Sequence, residues 1–198
     1  MSKRLILMII TIAFCFSLAA CSTAKAPAEA AIKAADEALA AVRTEASQYV
    51  PDQLKGVEDA LAAAKENFQK GEYQQALTGA QDLAARAKDL ATAVAARKDE
   101  LSKAWQDMSG GLPGMVAAIQ SRVDILSKSK KLPAGLDKEK FESAKASLAT
   151  ITQTWTEASN AFQGGNLMDA VDKAKTIKEK AVEIMNTLGM KPPEAATK

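Results

Sequence analysis

The sequence predicts an all-α protein, an elongated helical bundle of about six helices built from two related helical-hairpin units. Apolar residues recur at alternating spacings of three and four along most of the chain, which is the pattern of helices with one buried face. Alanine and leucine supply much of the 47% hydrophobic content, whereas aromatic residues make up only 5%. Such a composition favours helix by intrinsic propensity. Glycine and proline fall between the periodic stretches, where helices would end.

Three helices are predicted in the first half of the chain. The first stops before Pro51, because the residue before a proline is disfavoured in helix. The second is expected to begin with Asp52 as its N-cap and to end at Gly71. The third is a single helix of about 35 residues, which would be roughly 50 Å long. It ends at the Ser109–Gly114 segment, the clearest interior break.

Three more helices are predicted in the second half. Pro113 suits the first turn of the fourth helix, and Pro133 closes it. Asp137 is the expected N-cap of the fifth helix. The Gly164–Gly165 pair ends that helix, and Asn166 can cap the sixth.

An internal repeat links the two halves. A shift of 94 positions aligns one helix pair with the other without a gap, and the turn residues Phe-Gln-x-Gly then coincide. The alignment indicates two related hairpins, each preceded by a shorter helix. The matched pairs are Leu54/Leu148, Val57/Ile151, Leu61/Trp155, Ala64/Ala158, Phe68/Phe162, Gly71/Gly165, Ala76/Ala170, Ala80/Ala174, Leu83/Ile177 and Ala87/Ala181.

The N-terminus has the features of a secretory signal. Lys3 and Arg4 precede an uncharged apolar run over residues 5–16. A bilayer-spanning helix needs about 20 apolar residues, so this run is too short to remain as one. It leads into Leu18-Ala19-Ala20-Cys21, where small residues precede a nucleophilic thiol.

Leu18–Cys21 resembles the lipobox of bacterial lipoproteins. The resemblance implies cleavage before Cys21 and attachment of lipid to its sulfur. Two or three acyl chains would hold the protein stably at a membrane. The membrane is therefore a predicted partner, bound through the lipid on Cys21. Ser22 implies the outer membrane, on its periplasmic face, with the inner membrane as the less favoured location.

The predicted organisation has five segments. Residues 1–20 form the signal peptide and residues 21–28 a lipidated tether. Residues 29–109 form the first helical unit, residues 110–190 the second, and residues 191–198 a flexible tail. Removal of the first 20 of 198 residues leaves 178, enough for one domain or two small repeats.

Composition also excludes several kinds of chemistry. The signal carries Lys3 and Arg4, so the 26 basic residues fall to 24, equal to the 24 acidic ones, and no nucleic-acid partner is predicted. The chain has no histidine and two cysteines. Of these, Cys15 is removed with the signal peptide and Cys21 is the predicted site of lipidation, so no free cysteine is expected. Metal sites and catalytic sites that need His or a free Cys are therefore not expected, and no enzyme activity, cofactor or metal is predicted.

A second resemblance concerns a turn. Asn67–Leu77 is similar to the turn between the helices of a tetratricopeptide repeat, with its Gly-x-Tyr-x-x-Ala pattern, and Phe162–Val171 is a weaker copy. The period of about 94 residues argues against a solenoid of such repeats. Ala30–Val94 also resembles the alanine-rich helical domains of uncharacterised bacterial lipoproteins, which implies location and fold but no activity.

Three functional hypotheses remain open. The first is a non-enzymatic envelope protein acting as spacer, scaffold or adaptor, with a possible protein partner. The second is a binding module for a small or lipidic ligand, with a pocket lined by Trp105, Trp155, Met108, Met115 and Met168; the two tryptophans would otherwise fill the core. The third is a peptidoglycan tether through the C-terminal Lys198.

Overall fold

The computed structural model describes residues 24–193, and these residues are helical with short connections and no strands. The predicted all-α class is confirmed. The prediction of about six helices needs adjustment, because the described residues form seven helical segments. Their bounds are α1 Lys25–Tyr49, α2 Pro51–Gln69, α3 Tyr73–Gln81, α4 Leu83–Ser109, α5 Leu112–Ser127, α6 Lys138–Gln163 and α7 Leu167–Thr187.

The extra segment comes from a break in the predicted third helix. Asp82 separates α3 from α4. Glycine and aspartate are both poor helix formers, and Gly79 and Asp82 lie within one turn of each other. At the equivalent positions α7 has Lys173 and Thr176, and α7 runs without interruption.

The chain divides into two compact units between Arg97 and Lys98. This division falls inside α4, twelve residues before the predicted boundary at residues 109/110. A boundary inside a helix leaves no mark in composition, since neither glycine nor proline is needed there.

Unit 1 contains α1, α2, α3 and the first part of α4. The ion pairs Asp36–Lys65 (2.9 Å) and Arg43–Glu58 (2.8 Å) join α1 to α2, and their opposed numbering shows that the two helices are antiparallel. The close approach of α3 to α2 depends on small residues. A Cβ placed on Gly79 would lie 3.6 Å from the Cβ of Ala64.

Two details of unit 1 correct the sequence-based expectations. The predicted tether over residues 21–28 is too long, because α1 already begins at Lys25. Proline is tolerated in a first helical turn, so Pro27 does not delay the start. Asp52 is not an N-cap, since α2 begins at Pro51 and Val50 occupies the cap position.

Unit 2 contains the end of α4 together with α5, α6 and α7. The N-caps predicted here are confirmed: the side chain of Asp137 accepts from the Lys140 N–H at 2.8 Å, and that of Asn166 accepts from the Asp169 N–H at 3.4 Å. At the other end of α7, Arg122 Nε donates to the Leu188 carbonyl at 3.3 Å. This contact places a cation at a helix C-terminus, where it is favourable.

The two hairpin turns have the same backbone hydrogen bonds. In unit 1 the Gly71 N–H donates to the Phe68 carbonyl at 3.1 Å, and the Glu72 N–H to the Asn67 carbonyl at 2.9 Å. The corresponding bonds 94 residues later measure 3.0 and 2.8 Å. Each pair is a Schellman motif, with glycine in the left-handed region at φ +81° and +80°.

The core of each unit is apolar throughout. No charged or polar side chain is buried within residues 24–193. Apart from the turn glycines, the repeat positions are buried in both hairpins, except for the half-buried Phe68, Phe162 and Trp155. Alanine occupies several of these positions, which allows close packing of helix against helix.

Candidate functional site

The predicted lipidation site, Cys21, lies outside the described residues. The first described residue after it is Ala24, which is buried and whose carbonyl accepts from the Ala28 N–H at 2.9 Å. Ala28 is fully buried as well. Packed structure therefore begins at Ala24, three positions after the predicted acylated cysteine, and α1 begins one residue later.

The start of α1 meets the turn between α2 and α3. Lys25 Nζ lies 5.9 Å from the centre of the Tyr73 ring, within the range of a cation–π contact. The Tyr73 ring in turn meets the edge of Phe68, with centroids 5.1 Å apart and planes at 64°. Both rings remain half-exposed.

A shallow groove between α1 and α2 adjoins this cluster. Its volume is about 350 Å³, and Ile32 and Phe68 contribute apolar surface to it. The Lys65–Asp36 ion pair lies along the same groove. Both side chains are about half exposed, and ion pairs near the surface stabilise a fold by less than about 1 kcal/mol.

Unit 2 contains an aromatic stack. The ring of Trp105 lies 5.3 Å from that of Trp155 at an angle of 3°, and 4.8 Å from that of Phe162 at 11°. Residues 155 and 162 are about 10.5 Å apart along α6, close to the combined length of the two contacts. The indole of Trp105 is therefore inserted between the two rings of α6.

The residues proposed for a ligand pocket do not all meet. Trp105 and Trp155 come together, but they stack on each other and fill space. Met108 and Met115 line a small apolar recess of about 190 Å³, to which neither tryptophan nor Met168 contributes. Ligand pockets usually measure about 300–1,000 Å³.

A larger polar groove lies between α6 and α7. It measures about 450 Å³ and includes Asp137, Lys140 and Glu183. The backbone N–H of Lys140 holds the pKa of the Asp137 carboxyl below its ordinary value. That hydrogen bond is the helix cap itself, so the ionised carboxylate has a structural role.

The other shifted pKa values belong to exposed pairs within single helices. A hydrogen bond from Lys70 lowers the pKa of Glu66, and the same contact raises the pKa of Lys70. Lys55 and Lys103 have a raised pKa because their ammonium groups donate to Asp59 and Asp99, respectively. These pairs lie on solvated helix faces.

Two further features are absent from the part of the chain that the structure describes. Between residues 24 and 193 no three His, Cys, Asp or Glu side chains are grouped closely enough to hold a metal ion. Within the same residues no helix combines the length and hydropathy needed to cross a bilayer. Lys198, the predicted peptidoglycan attachment point, lies outside the described residues.

The comparisons with known proteins returned no relatives. No family model matches this chain, no curated protein matches it, and no solved structure matches it.

The contact of Lys25 with Tyr73 was not predicted from the sequence. Tyr73 belongs to the Gly-x-Tyr turn motif, so its importance to the turn was visible. The predicted tether includes Lys25, and a tether residue is not expected to contact a residue 48 positions later. A helix that starts before Pro27 would place Lys25 in its first turn, and from that position a contact with another helix can be expected.

Proposed function

We propose that this chain is a lipid-anchored envelope lipoprotein that acts as a non-enzymatic scaffold or adaptor. The main support for this proposal is the order of three sequence features. Lys3 and Arg4 come first, a short apolar segment follows, and Leu18-Ala19-Ala20-Cys21 comes after it. The anchor places the helical part at the periplasmic face of a membrane, with the outer membrane favoured by Ser22.

The architecture proposed for the exposed part is a pair of duplicated hairpins. The matching Schellman motifs and the matching burial at a 94-residue offset support this interpretation. Side chains buried between residues 24 and 193 are apolar, and the paired charges described above lie on exposed faces. An apolar core with a solvated surface suits a protein that holds partners apart or together.

The anchor is tested by metabolic labelling and fractionation. In cells fed labelled palmitate, the native chain should carry label and sediment with membranes, whereas a Cys21→Ser variant should carry none. A matched Cys15→Ser variant, altered within the predicted signal, should behave as the native chain does. Equal labelling of the native and Cys21→Ser chains would refute the anchor.

The adaptor role needs a separate experiment. Cross-linking in intact cells followed by purification should recover a defined envelope protein with the native chain and not with Cys21→Ser. Recovery of only lipid and the chain itself would argue for a spacer.

The ligand-binding alternative has one structural observation in its favour, the apolar recess beside Met108 and Met115. Native mass spectrometry of the purified chain would reveal a bound small molecule. The peptidoglycan alternative predicts peptide-linked protein in detergent-washed sacculi, which deletion of Lys198 should abolish.

A further inference from the structure

One end of unit 1 combines exposed polar residues with half-exposed aromatic rings. We define this Tyr73 end as Lys25, Phe68, Gln69, Lys70 and Tyr73. It contains the first turn of α1 and the turn between α2 and α3, which the Lys25–Tyr73 contact joins. The opposite end of α1 and α2 is the connection at Val50.

The Tyr73 end is the part of unit 1 tied most closely to the predicted anchor. Lys25 lies four positions after Cys21, and fully extended chain reaches at most about 14 Å over that span. Ala24 and Ala28 are buried, so α1 is packed against its unit from its first turn. A cysteine held in the lipid headgroup layer therefore keeps Lys25 within that distance of the bilayer, and the rest of this end is joined to Lys25 through its contact with Tyr73.

The chemistry of the Tyr73 end suits the interfacial layer of a membrane. Tyrosine combines an apolar ring with a polar hydroxyl and is favoured at the level of the headgroups. Lysine can lay its aliphatic stem along apolar surface while its ammonium stays in water. Lys70 is paired with Glu66 at 2.7 Å, which reduces the positive charge available to attract anionic lipid.

We propose that the Tyr73 end is a membrane-contacting surface, and that it rests in the headgroup layer of the bilayer into which the Cys21 lipid inserts. Unit 1 then stands with its Val50 connection directed away from the membrane. The inference depends on the lipid anchor of the proposed function and adds the orientation of unit 1 and the residues in contact with lipid.

Gln69 and Gln53 provide a matched pair for the test. Both glutamines are exposed and both lie on α2, but Gln69 is at the Tyr73 end and Gln53 is near the Val50 connection. Gln69 lies 16 positions after Gln53, which is about 24 Å along the helix. Each is replaced in turn by an azide-bearing amino acid, and a fluorophore is attached to it.

The labelled chains begin at Cys21, whose thiol is coupled to a maleimide phospholipid. They are bound to phosphatidylcholine vesicles that contain a nitroxide on some of the headgroups. We expect strong quenching of a fluorophore at position 69 and little at position 53. Ten Gly-Ser residues inserted after Thr23 should reduce the difference between the two positions.

Equal quenching at both positions, or none at position 69 while the vesicles carry the protein, would overturn the proposal. The second result would leave the Tyr73 end open to a protein partner instead. Because the lipid is attached chemically, the experiment does not depend on acylation in the cell. Failure of palmitate labelling would refute the natural anchor alone, whereas failure of the quenching pattern would refute the orientation alone.

Discussion

Gly71 and Gly165 end the first arms of the two hairpins in the left-handed region, at φ +81° and +80°. A Cβ on either residue would meet no atom within 4 Å, so space does not require glycine at these positions. Glycine is required by the backbone conformation alone, because a residue with a Cβ is disfavoured in the left-handed region. Substitution of either glycine by alanine therefore measures the cost of the left-handed backbone conformation without a contribution from steric overlap.

We expect Gly71→Ala and Gly165→Ala each to lower the free energy of unfolding by about 1–2 kcal/mol, the cost of a left-handed non-glycine residue. Gly114→Ala is the matched control, because Gly114 lies in the first turn of α5 with equally open surroundings and no positive φ. It should be neutral or slightly stabilising. Urea denaturation followed by circular dichroism measures all three, and equal effects would contradict the conformational explanation.

Asp137 gives a prediction about pH. Its pKa is lowered in the folded state by the Lys140 N–H, so the ionised form stabilises the fold. That contribution is complete above the unfolded pKa of about 3.9 and is lost as the pH falls through the lower folded value. An Asp137→Asn variant retains a capping side chain without the charge.

The difference in unfolding free energy between the native chain and Asp137→Asn should therefore be constant above about pH 5 and shrink as the pH falls below the unfolded value. Denaturation at a series of pH values measures it. A difference that grew with acidification would show that the carboxylate is not the stabilising form.

At the scale of the element, the helices are amphipathic and their ends are defined by local signals. The interruption at Asp82 is the exception, because no glycine pair or proline marks it. Gly79 and Asp82 weaken the helix locally, while Leu83 and Ala80 remain buried on either side. The break is thus a local loss of helix propensity within a continuous buried stripe.

We expect the Gly79→Ala/Asp82→Ala double variant to join α3 and α4 and to raise the free energy of unfolding by about 1 kcal/mol, from helix propensity. The new Cβ at position 79 would lie 3.6 Å from Ala64, an ordinary contact. Lys173→Ala, at the position in α7 equivalent to Gly79, should change stability by much less. Hydrogen exchange at residues 79–83 should slow in the double variant, and unchanged exchange there would argue against a propensity break.

The stack of Trp105 between Trp155 and Phe162 joins α4 to α6 within unit 2. We expect Trp105→Ala to lower the free energy of unfolding by about 3–5 kcal/mol, as for other buried large aromatic residues. It should also shift the fluorescence of Trp155 to longer wavelength by exposing that ring to water. Trp105→Phe keeps a ring in the stack and should cost clearly less; equal losses for the two variants would exclude a stacking contribution.

At the scale of the whole molecule, the division between the two units falls inside α4, between Arg97 and Lys98. The sequence predicted a boundary at residues 109/110, where glycines interrupt the helical pattern. Leu101 and Trp105 belong to unit 2 if the boundary is at residues 97/98, and to the first unit if it is at residues 109/110. Both residues are buried, and the partners of Trp105 in the stack lie in α6.

A fragment of residues 98–193 should consequently be more stable than a fragment of residues 110–193, which lacks Leu101 and Trp105. Thermal unfolding followed by circular dichroism compares the two fragments. Similar melting temperatures would support the boundary at residues 109/110 instead.

Much of the fold follows from local rules. The caps at Asp137 and Asn166, the glycine turns and the apolar stripes each depend on residues within one or two helical turns of one another, so the sequence alone predicts them. The predicted lipidation of Cys21 likewise depends on a contiguous motif, and it stays a prediction because residues 1–23 are outside the described part of the chain.

By itself the sequence determined the all-α class, most helix ends and the buried stripes, because helix periodicity and turn chemistry act over short distances. Only the tertiary structure decided that α1 begins at Lys25 and meets Tyr73, that Trp105 lies between two rings of α6, and that the units divide within α4. The side-chain contacts among these features join residues 48 to 57 positions apart, and the free energy that selects them comes from the packing of whole helices, which no local pattern encodes.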